Sequence, residues 1–296
     1  MNSEVHRFKV GSFQCLAVSD GTHTYAPPTF PPPATLLFVN APRPLLEQVL
    51  GQHNLHPEQW AEWVSPYICL VVNTGKHRVL VDTGGDGLAP NTGRLLHNLQ
   101  AEGISPGDID IVILTHGHPD HLGGNTDAES QPIFPNARHV IWRDEWDFWM
   151  SEQAELKLDE HVKGVLLQFA RKNLPPIQGQ LDIIDQEREI VPGIEAIAAP
   201  GHTPGQMALA VFSGGEQLLC LSDVVLHPIH LEQPDWHAAL DLAPEQAIAT
   251  RRRLLNRAAT ERALVLAFHF PFPGLGYVLP RQGAWQWQPI GRESGP

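Results

Sequence analysis

The segment Ile113 to Asn125, ILTHGHPDHLGGN, places four side chains that can bind a metal within six positions. His116, His118, Asp120 and His121 follow an apolar run typical of a buried strand, and two glycines come directly after them. Because alternate residues of an extended chain point the same way, we expect the first two histidines to face one side. Imidazole and carboxylate groups are ligands that zinc and similar divalent metals prefer. The segment therefore predicts a metal site.

Three more candidate ligands occupy the same kind of position, directly after an apolar run. His202 lies in AAPGHTPGQM, Asp223 in LLCLSDVV and His269 in LVLAFHFPFPGLG. A lone histidine at such a position is more often structural than a metal ligand. However, the ends of buried strands converge at one edge of a sheet, so all three residues are expected to approach the first cluster.

Composition narrows the classes of function. The 296 residues are 42% hydrophobic and 18% charged, and the formal net charge is −13. Such a charge argues against nucleic acid and anionic membranes as partners, because both require clustered Lys and Arg. No apolar run approaches the roughly 20 residues of a membrane-spanning helix, and the N-terminus shows no signal-peptide pattern. We therefore expect a cytoplasmic protein in which Cys15, Cys69 and Cys220 are buried, reduced thiols.

Apolar runs and helix patterns are interspersed along the chain. YICLVVNTGKHRVLVDTGGDG predicts a hairpin, DIDIVILTH a buried strand and PEQAIATRRRLLNRAATER a helix. These elements predict a single α/β domain, residues 1–296, with two mixed sheets packed together. A proline-rich N-terminal extension covers about residues 22–60. Within it TYAPPTFPPPAT is expected to be a long extended loop, and PLLEQVLGQH predicts a short helix.

HxHxDH, then GHTPG, a later Asp and a last His together resemble the metallo-β-lactamase superfamily, with matches from VLVDTGG at residue 79 to HFPFPG at residue 269. The resemblance implies an αβ/βα four-layer sandwich, two mixed sheets flanked by helices. It also implies seven ligands: His116, His118 and His202 for one metal, Asp120, His121 and His269 for the other, and Asp223 as the bridge. Asp82 of VDTGG would orient a ligand histidine.

Within the superfamily the chain is most similar to the methyl parathion hydrolase and N-acyl homoserine lactonase branch. SDVVLHPIHLEQPDW, ATRRRLLNRAATER and HFPFPGLG carry this similarity. It implies a binuclear hydrolase that attacks lactones, esters or phosphotriesters of small apolar molecules with a metal-bridging hydroxide. Asp120 would hold the hydroxide and carry a proton to the leaving group. His118 stands where diiron relatives usually have Glu, which favours Zn²⁺ and leaves iron, manganese or cobalt open.

Two positions separate subfamilies. One group of β-lactamases uses a Cys ligand, and Cys220 lies three residues before Asp223. If the strand continues, the two side chains face opposite ways, so we assign Asp223 as the ligand. Some lactonases carry a substrate-binding Tyr three residues after the bridging Asp, where this chain has Leu226. We expect His230 to assist the substrate instead, or the zinc to suffice alone.

The aromatic residues of WRDEWDFWM and HFPFPG either pack in the core or line an apolar pocket beside the metals, and Phe270 is the favoured pocket residue because it adjoins His269. Alternatives stay open at this point. They are an iron-dependent, persulfide dioxygenase-like oxidoreductase, a glyoxalase II-like thioesterase and a noncatalytic binding protein. A small-molecule substrate is expected in the enzymatic cases, and a homodimer is left open.

Overall fold

Two seven-stranded sheets form the centre of the fold. The computed structural model describes residues 3–152, 156 and 158–291, so both ends of the predicted 1–296 domain lie outside the described residues. The first sheet contains β1 Val5–Val10, β2 Phe13–Tyr25, β3 Trp63–Asn73, β4 Arg78–Val81, β5 Ile111–Ile113, β6 Arg138–Trp142 and β7 Leu181–Ile184. The second contains β8 Arg188–Val191, β9 Ile194–Ala198, β10 Met207–Ser213, β11 Glu216–Cys220, β12 Leu264–Leu266, β13 Leu275–Arg281 and β14 Ala284–Pro289.

Both sheets are mixed, and their strands lie side by side in chain order. In the first sheet β1 to β4 pair antiparallel and β4 to β7 pair parallel. In the second sheet only β11 and β12 pair parallel. Parallel strands end at the same edge of a sheet, so the loops after β4, β5, β11 and β12 can meet.

Helices cover the outer faces of the sheets. Within the described residues they are α1 Pro33–Leu37, α2 Arg43–Gln52, α3 Leu95–Ala101, α4 Pro119–Leu122, α5 Arg143–Met150, α6 Glu160–Asn173, α7 Ile229–Glu232 and α8 Pro244–Glu261. None of the helices in this part of the chain has the length and apolar character needed to cross a bilayer.

Strand alternation divides the core into layers. In β3, Leu70 and Val72 join the cluster between the sheets, together with Leu209 of β10. Their neighbours Cys69 and Val71 point to the other side and join the cluster that includes residues of α3 and α6. A third cluster packs residues of α8 against the second sheet. The predicted four-layer sandwich of two mixed sheets flanked by helices is confirmed.

The proline-rich segment differs from the prediction. Strand β2 continues through Tyr25 and α1 begins at Pro33, so TYAPPTFPPPAT is not one extended loop, whereas α2 agrees with the short helix predicted from PLLEQVLGQH. The reason is the position of the prolines: Pro33 is the first residue of α1, and α2 also has proline in its first turn, where no backbone donor is needed. Leu37 and Leu50 are completely buried and pack in one cluster with Ile229.

Candidate metal centre

The loop after β5 carries the first four predicted ligands. The backbone N–H of Thr115 donates to Asp82 Oδ1 over 2.8 Å, and the Thr115 hydroxyl donates to Asp82 Oδ2 over the same distance. Helix α4 then starts at Pro119 and places Asp120 and His121 in one short turn. The glycine after this turn is required, because a Cβ on Gly124 would lie 2.2 Å from a backbone oxygen.

The structure gathers all seven predicted ligands into two groups that share one residue. In each group the candidate ligand atoms lie within 4.8 Å of one another, and every residue is buried. The first ligand group is His116, His118, His202 and Asp223, and the second ligand group is Asp120, His121, Asp223 and His269. The loops after β5, β9, β11 and β12 supply them.

The shared carboxylate lies between the two groups. Asp223 Oδ1 is 3.1 Å from His121 Nε2, and Asp223 Oδ2 is 3.0 Å from His269 Nε2 and 3.4 Å from His202 Nε2. On the first side, His118 Nδ1 lies 3.1 Å from His116 Nε2 and 3.0 Å from His202 Nε2. This arrangement suits a carboxylate that contacts two ions with its two oxygens.

The donor atoms fit divalent metals. His121 Nε2 and Asp223 Oδ1 are buried and lie 3.1 Å apart without forming a well-aligned hydrogen bond, although such groups are costly to bury unsatisfied. Burial lowers the pKa of His116 and of His118 well below its usual range, so both imidazoles are neutral and can offer lone pairs. Two neutral imidazoles that converge with a carboxylate are typical of a metal centre.

Hydrogen bonds fix the orientation of the histidines. Asp82 Oδ2 lies 2.7 Å from His121 Nδ1, and Asp241 Oδ1 lies 2.8 Å from His202 Nδ1. Burial raises the pKa of Asp241, but the His202 hydrogen bond and nearby positive charge outweigh it and bring that pKa to about 2. An ionised carboxylate can only accept, so Nδ1 carries the proton and Nε2 is free to bind a metal.

The family resemblance implied this role for Asp82, whereas two other partners of the ligand histidines were not predicted. Asp241 lies in a short loop before α8 with no recognisable motif around it. Ser65, whose hydroxyl oxygen lies 2.8 Å from His269 Nδ1, sits in β3 among residues that read as an ordinary strand.

Residues 63–269 match the family described as the metallo-beta-lactamase superfamily. This chain belongs to the metallo-β-lactamase superfamily. The match covers strands β3 to β12 and all seven residues of the two ligand groups. The resemblance stated from the sequence motifs is therefore confirmed.

Relatives place this superfamily member near lactonases. It is 26% identical over 256 residues to the N-acyl homoserine lactonase AiiA of Bacillus thuringiensis subsp. kurstaki, an alignment covering 79% of this chain and 92% of the relative. The structure of AidC, a dizinc quorum-quenching lactonase in complex with a product, aligns with a TM-score of 0.87, 27% identity and 97% coverage of both chains. Hydrolase AbOPH of the β-lactamase superfamily aligns with a TM-score of 0.86 and 25% identity, over 99% of this chain and 100% of that one. These findings support a metal-dependent hydrolase, as the sequence predicted.

In this metallo-β-lactamase superfamily protein, Cys220 and Asp223 occupy different environments. Strand β11 ends at Cys220, whose side chain packs in the core between the sheets, and burial raises the pKa of its thiol to about 12. The chain then turns, rather than continuing as a strand, and the turn carries Asp223 into the centre. All three cysteines are buried and free, as predicted.

A cavity of about 160 Å³ adjoins His118 and Asp120. Its wall is mostly apolar and comes from α6 on one side and from the end of β2 and the segment after it on the other, with further residues from two loops. The residues beyond the two candidate ligands are His23, Tyr25, Thr29, Phe30, Leu88, Pro119, His161, Val162, Val165, Leu166 and Leu240. The only sequence signal for this wall is the helical spacing of its valines and leucine in α6.

Two predicted substrate contacts are not supported by the structure. His230 is fully buried, its Nε2 lies 2.9 Å from the carbonyl oxygen of Leu37, and its ring packs against Phe38. Phe270 is also fully buried and packs edge-on against Trp287. Both lie close in sequence to candidate ligands, but the chain turns after each ligand and directs the next side chains into the core.

Proposed function

We propose that the protein is a dizinc hydrolase that opens lactones or cleaves apolar esters of small molecules, with aryl phosphotriesters as slower substrates. The observation that carries this proposal is a single carboxylate, Asp223, shared by two ligand groups beside an apolar cavity. The similarity to AiiA and AidC supports a lactone substrate and favours zinc hydrolysis over the oxidoreductase and thioesterase alternatives.

We assign His116, His118 and His202 to one ion, Asp120, His121 and His269 to the other, and Asp223 to both. When bound, two zinc ions supply a water of near-neutral pKa and a Lewis acid for the substrate oxygen. Asp82 and Asp241 keep the tautomer of their histidines fixed, because each accepts from an Nδ1–H.

Asp120 is the best-placed group for proton transfer. Its Oδ2 lies 3.5 Å from His121 Nε2 and 3.5 Å from His269 Nε2, and the same residue lines the cavity. It therefore reaches both the second ligand group and the substrate. In the proposed reaction Asp120 accepts a proton from the attacking water and returns it to the leaving oxygen.

The cavity sets the substrate class. A cavity of roughly 150 Å³ accommodates a benzene-sized group, so this one suits a short acyl chain or an aryl ring. Leu226, at the position of the lactonase tyrosine, is buried in the cluster with α1 and α2. The hydroxyl of Tyr25, which lines the cavity and lies 2.9 Å from that of Tyr67, would orient the substrate oxygen instead.

The net charge, the cysteines and the core packing support the proposed partners, compartment and domain organisation. The net charge of −13 gives no attraction for anionic polymers, which favours a small-molecule substrate and no nucleic-acid or membrane partner. Buried, unpaired thiols suit a cytoplasmic enzyme. We treat residues 1–296 as one domain, because shared core clusters join both sheets and pack the N-terminal segment against the loop after β11.

A substrate panel with zinc-loaded protein tests the proposal. We expect kcat/KM for a short-chain acyl homoserine lactone or an aryl ester to exceed that for an aryl phosphotriester, and a chelator to abolish every activity. Inactivity on all three, with turnover of a glutathione thioester by the zinc form or of a persulfide by an iron-loaded form, would overturn it.

A further inference from the structure

Glu145 of α5 is a fully buried carboxylate that the proposed reaction does not use. Burying a carboxylate is costly unless hydrogen bonds or opposite charges compensate. No sequence motif marks it, since it lies among tryptophans in WRDEWDFWM. Its contacts therefore need an explanation.

Both oxygens of Glu145 are saturated with hydrogen bonds. Oε1 accepts from the backbone N–H of Gly117 over 2.7 Å and from the indole N–H of Trp149 over 2.5 Å. Oε2 accepts from the Thr203 hydroxyl over 2.7 Å and from the backbone N–H of Gly205 over 2.9 Å. Three of the four donors belong to loops and only one to α5 itself.

Those loops carry the histidines of the first ligand group. Gly117 stands between His116 and His118, and Thr203 directly follows His202. One carboxylate thus connects the loop after β5, in the first sheet, to the loop after β9, in the second. The hydrogen-bond partners of Glu145 include no residue adjacent to the histidines of the second ligand group.

The same loops are pressed against α5. A Cβ on Gly117 would lie 2.3 Å from the indole nitrogen of Trp149, and a Cβ on Gly205 would lie 2.1 Å from the backbone nitrogen of Glu145. The Trp149 ring also packs edge-on against His118, with ring centres 5.6 Å apart. The two glycines let the loops approach closely enough for one side chain to hold both.

We infer that Glu145 is a positioning residue that sets the spacing of the three histidines in the first ligand group, and so the affinity of that group for its metal ion. This inference rests on the proposed metal centre. The 3.0 Å distance from His118 Nδ1 to His202 Nε2 depends on both loops being held together, because the two histidines lie on different loops.

A glutamine cannot replace this carboxylate, although it has the same shape. Four donors face Glu145, whereas an amide offers one acceptor oxygen and turns its NH₂ toward two of them. The Thr203 hydroxyl can rotate to accept, but at least one N–H loses its partner. Glu145→Gln therefore loosens the loops without changing side-chain volume.

The test is a cobalt titration of metal-free protein against a competing chelator, followed by the visible absorption of Co²⁺. Wild type should bind two ions per chain. Glu145→Gln should bind one ion with wild-type affinity and the other about 10- to 100-fold more weakly. The matched control is Asp144→Asn, which removes an exposed carboxylate from the same helix and should behave as wild type.

The other outcomes of the cobalt titration distinguish failure of the inference from failure of the proposed metal centre. Wild-type binding of both ions by Glu145→Gln, even with a lower melting temperature, would overturn the inference and leave Glu145 a purely structural group. Fewer than two ions in wild type would instead refute the proposed binuclear centre. If Glu145→Gln fails to fold, Thr203→Val, which removes one of the four donors, decides: weaker binding of one ion supports the inference, and binding equal to Asp144→Asn overturns it.

Discussion

The metal centre and the cavity wall beside it are held together by different kinds of contact. Buried charged hydrogen bonds orient the histidines, such as those from His121 to Asp82 and from His202 to Asp241. The wall is made by apolar side chains of α6 and by Phe30 of the N-terminal segment. Charged networks have strict geometry, whereas apolar contacts tolerate exchange. Substitutions in the first region should change chemistry and metal content, and those in the second only substrate binding.

The largest effect is expected at the shared carboxylate. Asp223→Ala should lower kcat/KM at least about 1000-fold and reduce the zinc content, because both ligand groups lose a member. Cys220→Ser should keep its zinc and most of its activity, since that thiol lies in the core between the sheets. Elemental analysis beside steady-state kinetics checks both variants. Zinc loss confined to the Cys220 variant would show that the wrong ligand was assigned.

Acid can also lower the stability of the protein through a residue outside both regions. This effect must be distinguished from the loss of metal at low pH. His139 of β6 is fully buried, and burial lowers its pKa to about 4. The unfolded chain binds this proton near pH 6.5, so the free energy of unfolding falls as the pH drops from about 6.5 to 4, by about 3 kcal/mol from this group. His139→Leu should flatten that part of the pH profile in urea unfolding of the metal-free protein. An unchanged profile would show that other groups cause the acid sensitivity.

Removing a partner of one histidine should have an intermediate effect. Asp241→Asn replaces the ionised acceptor of His202, so zinc affinity should fall about 10- to 100-fold. Competition with a chelator measures this affinity. Asp235→Asn, which removes an exposed carboxylate paired with Arg252, is the control. Equal affinities in the two variants would mean that the orientation of His202 does not depend on Asp241.

The smallest effect is expected in the wall. Phe30 is partly buried, and Phe30→Ala should cost about 1 kcal/mol of substrate binding, which corresponds to about fivefold in KM, with kcat and zinc content unchanged. Phe212→Ala removes an exposed ring from β10 and serves as the control. A loss of zinc from Phe30→Ala would contradict the separation of the two regions.

The sequence predicted the centre well because its residues are marked by spacing. Four candidate ligands fall within six positions after a buried strand, and three others follow similar runs. Strand geometry led to the expectation that they meet at one edge of the sheets. The two packed sheets were also predicted, because apolar runs and helix patterns are interspersed along the chain.

The wall and the supporting partners were not predictable. Glu145, Asp241 and Ser65 act through contacts made by residues distant in the chain, and no local pattern marks them. The prolines of TYAPPTFPPPAT suggested a loop, yet Pro33 starts α1. His230 was predicted from its closeness to Asp223 in sequence, but short turns after a ligand reverse the direction of the chain.

The zinc content of fully active wild type tests the central claim most directly. Protein loaded with zinc, freed of excess metal and assayed on its best substrate should contain two zinc ions per chain. As a chelator removes the second ion, activity should fall in proportion to the zinc that is lost. Full activity with about one ion per chain or fewer would contradict a centre in which Asp223 joins two metals.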